Sequence, residues 1–160
     1  VLRESEARDR TAFMELLTSA EVHAYLGGAH SRDELEREMP AVPGRQPVSL
    51  VVDLDGEMIG QVLLRRVTEH RRPAAVGKVD LGYLFLPRVW GFGYAREACA
   101  AALDWFTGVH PDEPVVLTTQ TANARSMRLA ARLGFAEVER FRAWGAEQWL
   151  GLRTPGASWG

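Results

Sequence analysis

With 160 residues, 46% hydrophobic and 25% charged, the chain has the balance of a globular protein that buries a core, and its length suits one domain rather than two. Its 19 basic and 21 acidic residues leave a net charge of −2, which excludes the strongly basic field that draws a protein to nucleic acid or to an anionic membrane. No apolar run approaches the ~20 residues of a membrane-spanning helix, and the charged opening Val1-Leu2-Arg3-Glu4-Ser5-Glu6 does not have the pattern of a signal peptide.

Residues 1–3 read as a short opening strand. Ala12, Phe13, Leu16 and Leu17 then fall at helical spacing after a polar stretch, which predicts a helix over 7–18. Val22, Tyr25 and Leu26 make a second short helical turn that Gly27-Gly28 stops. Ser31-Arg32-Asp33-Glu34 has the spacing of a capping box, in which the serine bonds the N3 amide and the glutamate reaches back, and Pro40 closes the helix so opened. The period then changes to that of a strand. Residues 48–54 and 58–67 are β-rich runs joined by Asp55-Gly56, a pair able to take the positive φ angles of a two-residue turn. A basic loop over 69–78 leads to a strand over 79–86, a glycine-rich turn, and a helix over 94–106. In that helix Ala95, Ala98, Cys99, Ala102, Leu103 and Phe106 line one buried face. Residues 115–119 form a strand, 124–133 a helix ended by Gly134, and 136–141 with 148–153 a last strand pair; residues 154–160 read as a loosely held tail. This order calls for an α/β protein whose mixed sheet carries helices on both faces.

The chemistry concentrates in Trp90-Gly91-Phe92-Gly93-Tyr94-Ala95-Arg96. Two glycines at the start of a helix let several amide N–H groups converge on one spot with the positive end of the helix dipole behind them, which is how a backbone holds a pyrophosphate. A plain strand-to-helix turn needs the same small residues, so the pair alone is weak evidence. It lacks the Gly-Lys-Ser/Thr ending of a P-loop and the acidic residue of a dinucleotide site. A second segment, Asn123-Ala124-Arg125-Ser126-Met127 through Gly134-Phe135, begins a helix on an asparagine cap and ends it on a glycine.

Taken together the two segments resemble the GNAT superfamily of acetyltransferases. Trp90 to Ala95 is similar to its cofactor motif (Gln/Arg/Trp)-x-x-Gly-x-(Gly/Ala), in the Trp-Gly-x-Gly-x-Ala form of the Rim-type ribosomal-protein N-terminal acetyltransferases; Asn123 to Phe135 is similar to its Asn-x-x-Ser motif. Leu2-Arg3, Tyr25-Leu26-Gly27, Met58-Ile59-Gly60 and Asp80-Leu81-Gly82-Tyr83 extend the likeness, so that it covers residues 2–153. The resemblance implies a single α/β (α+β) domain over 1–153 whose mostly antiparallel sheet splays at the cofactor site. It further implies acetyl-CoA as co-substrate and an amine as acceptor, either a protein N-terminus or a small molecule. The backbone of Tyr83, Leu84, Phe85 and Leu86 would take the pantetheine arm, and the amides of Trp90, Gly91, Phe92, Gly93, Tyr94, Ala95 and Arg96 the pyrophosphate, with Arg88 and Arg96 as the nearest cations. Asn123 would reach the thioester end, or serve simply as a helix cap.

Attack of an amine on a thioester profits from a base and an acid. Asp80 stands where relatives carry an acidic base, although a strand carboxylate could equally pair with Lys78 or an arginine. Ser126, Tyr83 and Tyr94 are candidate acids, Ser126 being favoured by the family motif and otherwise a first-turn residue bonding its own backbone. His23 and His30 lie near Gly27-Gly28 and could line a substrate cleft, whereas His70 and His110 read as surface residues of polar loops. Trp90, Trp105, Trp144 and Trp149 read as packing residues, Trp144 alone standing where it could touch an acceptor. Cys99 reads as core, its solitude fits a reducing cytoplasm, and no metal site is expected. The protein is expected to act as a monomer or homodimer. The rival readings are a non-catalytic acyl-CoA-binding or sensing module and a nucleotide-binding regulator.

Overall fold

Residues 1–44 and 48–155 are described by a computed structural model; of the expected tail, residues 156–160 lie outside the described residues. The fold is α/β, with a seven-stranded, mostly antiparallel sheet in the order β1-β2-β3-β4-β5-β7-β6 and four α-helices among the described residues. Contacts within the chain define two compact units, Val1–Leu63 with Tyr83–Ala98 and Leu64–Gly82 with Cys99–Gly160. Strands β3 and β4 run through both.

The first unit holds β1 (Leu2–Arg3), α1 (Arg10–Thr18), α2 (Arg32–Glu38), β2 (Ser49–Leu54), most of β3 (Glu57–Arg66) and the end of β4 (Val79–Phe85). Asp55 (φ 53°) and Gly56 (φ 89°) make the expected two-residue turn, and Gly56 N–H donates to Asp53 Oδ1 at 2.7 Å. Helix α1 is entered through a 3₁₀ turn over Ala7–Asp9. The capping box sits there, with Glu6 N–H donating to Asp9 Oδ2 at 2.7 Å. Ser31 begins α2 without a side-chain cap bond, which corrects the expectation of a box at Ser31 and Glu34. Asp9 is fixed because Arg3 holds it at 2.7 and 2.8 Å while also bonding Asp53 at 2.7 Å, so that one guanidinium ties β1, the 3₁₀ turn and β2 together. Those bonds hold the Asp9 carboxyl below the usual carboxylate range. The expected second helical turn is instead a run of turns in which the His23 carbonyl accepts the amides of Leu26 and Gly28 at 3.0 and 3.2 Å. Phe13, Leu16, Val51, Met58 and Leu86 form the core of this unit. Gly60 lies in β3 because a Cβ there would come within 2.5 Å of the Phe85 ring and 2.7 Å of the Leu84 carbonyl.

The second unit holds most of α3 (Tyr94–Val109), together with β5 (Val115–Gln120), α4 (Ala124–Arg132), β6 (Ala136–Ala143) and β7 (Ala146–Arg153). Strand β4 runs parallel to β5 in the register Val79↔Val115 and Asp80↔Val116, and β5 pairs antiparallel with β7 as far as Gln120↔Gln148. Cys99, Ala102 and Leu103 are fully buried on the predicted face of α3, whereas Trp105 is 47% exposed rather than packed. One sheet face is covered by Ala75 of the β3–β4 loop, which packs with Val116, Leu150 and Phe141. The β6–β7 hairpin turns on Trp144 (φ 52°) and Gly145 (φ 76°).

Candidate active site

At the end of β4 the chain is braced in three ways. Leu86 N–H donates to Ile59 C=O at 3.0 Å, a 3₁₀ turn over Pro87–Val89 follows, and Trp90 Nε1–H reaches back to Phe85 C=O at 2.9 Å. Trp90 therefore latches the glycine turn to the strand before it. Gly91 (φ 86°) and Gly93 (φ 82°) both lie in the left-handed region, and a Cβ built on either would meet nothing within 4 Å. The glycines are there for conformation, and the space outside the turn stays open. The first i→i−4 bond of α3 runs from Glu97 N–H to Gly93 C=O at 3.1 Å, so the amides of Tyr94 and Ala95 lie ahead of it at the positive end of the helix. Open space, positive-φ glycines and leading helix amides together suit a bound diphosphate group. Of the two expected cations, Arg88 reaches Glu15 at 2.9 and 3.2 Å; both partners are half-exposed, a pairing weak enough to exchange for a phosphate. Arg96 is exposed in the first turn of α3. Phe92, 70% exposed, stacks on Tyr94 with ring centroids 5.9 Å apart.

In the second unit Asp80 is half-buried in β4, and burial pushes its carboxyl up to about 7 against the opposing charge of Arg65. Lys78, a pairing partner considered for it, donates instead to the Ala74 carbonyl at 2.6 Å. A carboxyl poised near neutrality is suited to taking a proton from an ammonium. Asn123 Oδ1 accepts the Ser126 amide at 3.3 Å, so the asparagine does cap α4. The Ser126 side chain is 7% exposed in the first turn of that helix. Tyr83, in the first unit's part of β4, is half-buried.

His23 and His70 differ from the expectation of surface residues, whereas His30 and His110 are exposed. His23 is 5% exposed, with its ring edge-on to His30 at 5.6 Å and Nδ1 3.2 Å from Ser19 O, and so pins the α1–α2 connection. His70 is half-buried with its Nε2 3.3 Å from Thr118 Oγ1. His110 is exposed beside Glu113. Trp144 is 67% exposed at a hairpin tip, and the Arg71 guanidinium lies 5.0 Å over its ring. Burial pushes the Cys99 thiol up to about 12, which makes it inert. Among the described residues no cluster of three or more His, Cys, Asp or Glu could hold a metal, and no helix is long and apolar enough to cross a membrane.

Comparison with known proteins gives one family, described as the acetyltransferase (GNAT) domain, whose sequence model matches residues 1–136. A curated relative, the uncharacterized protein YkkB of Bacillus subtilis (strain 168), is 32% identical over 66 residues, a match spanning 41% of this chain and 38% of that relative. Among solved structures, a putative GNAT-family acetyltransferase from Bordetella pertussis aligns at a TM-score of 0.75 with 21% identity, covering 96% of this chain and 94% of the other. Spermidine N-acetyltransferase from Vibrio cholerae, in complex with CoA and spermine, aligns at 0.75 with 19% identity, covering 98% and 96%.

Proposed function

The chain belongs to the GNAT family of acetyltransferases, and from that premise we propose that it transfers an acetyl group from acetyl-CoA to the nitrogen of an amine. The observation that carries the proposal is the strand β4, which bears at Asp80 a carboxyl held near neutrality and leads at its other end into an open turn of positive-φ glycines. Acetyl-CoA bound at that turn supplies the acetyl group as a thioester, which a neutral amine attacks with release of the CoA thiol. Trp90 to Arg96 would hold the pyrophosphate with their amides, Arg88 and Arg96 would add charge, and the backbone of Tyr83 to Leu86 would hold the pantetheine as a neighbouring strand would. Asp80 takes at its carboxylate the proton that an alkylammonium must lose. Ser126 gives its Oγ proton to the leaving sulfur and regains one from the acetylated nitrogen, with Tyr83 and Tyr94 as the other candidates, and Asn123 would reach the thioester end. The Trp90 to Ala95 motif supports a place in the Rim-type branch, with a protein N-terminus as acceptor; the likeness to a spermidine acetyltransferase supports a small polyamine. Residues 1–153 would constitute the catalytic domain. The decisive experiment follows free thiol in mixtures of acetyl-CoA with an amine panel. Thiol release that depends on the amine is expected. Acetyl-CoA binding without thiol release from any amine would instead mark an acyl-CoA sensor.

Ser126 yields a separate prediction. The bond that caps α4 uses the Ser126 amide rather than its hydroxyl, so Ser126→Ala leaves the cap in place. The rate of acetyl transfer should fall about tenfold or more with little change in melting temperature. A variant that melts earlier yet transfers at the parent rate would make the hydroxyl structural.

A further inference from the structure

The loop between β3 and β4 delivers His70 to the sheet face that carries Asp80. Asp80 is in register with Val116 of β5, and registered residues share a face, as do residues two apart on one strand. Thr118 therefore lies on the Asp80 face, about 7 Å along β5 from the residue beside Asp80 at ~3.3 Å per residue. His70 Nε2 sits 3.3 Å from Thr118 Oγ1, and the Arg72 backbone N–H donates to His70 Nδ1 at 2.9 Å. A nitrogen that accepts a hydrogen bond carries no hydrogen, so the neutral ring bears its proton on Nε2, and Nε2–H donates to Thr118. Protonating Nδ1 would set one N–H against another. Burial and the Arg72 charge also keep the ring below its ordinary pKa, while Glu139 opposes them; Asp80 lies on the same face with Arg65 as its counter-charge. The ring is held by Phe141, whose centroid is 6.0 Å away, and Arg72 is tied to Glu139. A hydroxyl oxygen has two lone pairs, so engaging one with His70 leaves Thr118 Oγ1 a second with which to accept from a further donor.

We propose that His70 is a positioning residue for acetyl transfer: by donating Nε2–H to Thr118 it orients the threonine hydroxyl to accept one N–H of the acceptor amine while Asp80 takes the proton that the amine loses. The inference rests on the reading of Asp80 as that proton acceptor. It assigns work to a histidine outside the family motifs, and it identifies the recognised ligand atom as an ammonium nitrogen carrying three hydrogens before reaction, one given to Asp80, one shed as the C–N bond forms and one kept in the bond to Thr118. Acceptors are then primary amines or their ammonium forms.

Two measurements test it. In ¹⁵N-histidine-labelled protein without ligand, His70 should show the Nε2–H tautomer at neutral pH and a midpoint below the usual value of about 6.5; the Nδ1–H tautomer would overturn the inference. In kinetics, Thr118→Val and His70→Phe should each lower kcat/KM for the amine about tenfold with the KM for acetyl-CoA unchanged, and the double variant should be no worse than the poorer single one. His70→Gln, whose side-chain amide can replace Nε2–H, should regain most of the rate. Additive losses, or single variants at the parent rate, would overturn the inference alone, since the parent would still release thiol. A parent that releases no thiol with any amine would overturn the proposed function and this inference together.

Discussion

Gly93→Asp should abolish acetyl-CoA binding, with a loss of at least about 100-fold in affinity, or ~2.7 kcal/mol, in a protein that still folds. Folding survives because a Cβ at Gly93 meets nothing within 4 Å, and the positive φ of 82° costs an L residue about 1–2 kcal/mol, with aspartate among the residues that tolerate it best. The carboxylate also gains a role, since it stands at the start of α3 and can accept the amides ahead of the Glu97 to Gly93 bond. Those are the amides assigned to the pyrophosphate. The variant thus fills the cradle with a tethered anion and repels a second one, whereas Gly93→Ala imposes the backbone cost without the charge. Titration calorimetry should find no acetyl-CoA binding to the aspartate variant and clear binding to the alanine variant, both giving the parent's circular dichroism. A folded aspartate variant with parental affinity would remove the turn from the cofactor site.

The parts of this fold that are legible in the sequence are those whose physics is local. Asp55-Gly56 announces a hairpin because few residue pairs accept two positive φ angles, and the apolar spacing of α3 from Ala98 to Phe106 needs only a helical period. The capping box shows the limit of such reasoning. Ser31 and Glu34 satisfy the spacing as well as any pair, yet the box forms at Glu6 and Asp9, because Arg3 arrives from β1 and fixes the aspartate against Asp53, 50 residues from Arg3 in sequence. The second hairpin is legible as a strand pair, but its turn is not, for the opposite reason. Its turn puts a tryptophan, Trp144, at φ 52°, and no residue preference would nominate it.

At the candidate site the same division holds. Gly91 and Gly93 are visible because the backbone itself demands them, and Asn123 because a cap is a local bond. What cannot be read from spacing is the protonation chemistry, which depends on what the fold buries. The shift of Asp80 comes from desolvation among residues distant in sequence, and His70 meets Thr118 across 48 residues. A polar, basic loop gives no local signal that its histidine turns inward.

Because the Asp80 shift is a property of the folded state, one substitution should move activity and stability in opposite directions. Asp80→Asn should lower turnover by roughly tenfold to a thousandfold, the range usual for a general base, with little change in acetyl-CoA affinity. In the parent, kcat/KM for the amine should rise as the carboxyl ionises through about pH 7, and the asparagine variant should lose that limb. The stability sign follows from linkage. The folded pKa of about 7 lies above the unfolded value, so the group's favourable contribution is fully present below the unfolded pKa and is lost as pH rises through about 7. Asparagine stays neutral throughout. The variant should therefore melt later than the parent at about pH 8, with the difference shrinking toward about pH 5. A carboxylate that merely paired with a cation would behave in reverse, its loss destabilising the protein and leaving the rate intact. Parallel pH–rate profiles and melting curves of the two proteins separate these outcomes, and an unchanged pH–rate profile in the variant would take Asp80 out of the proton path.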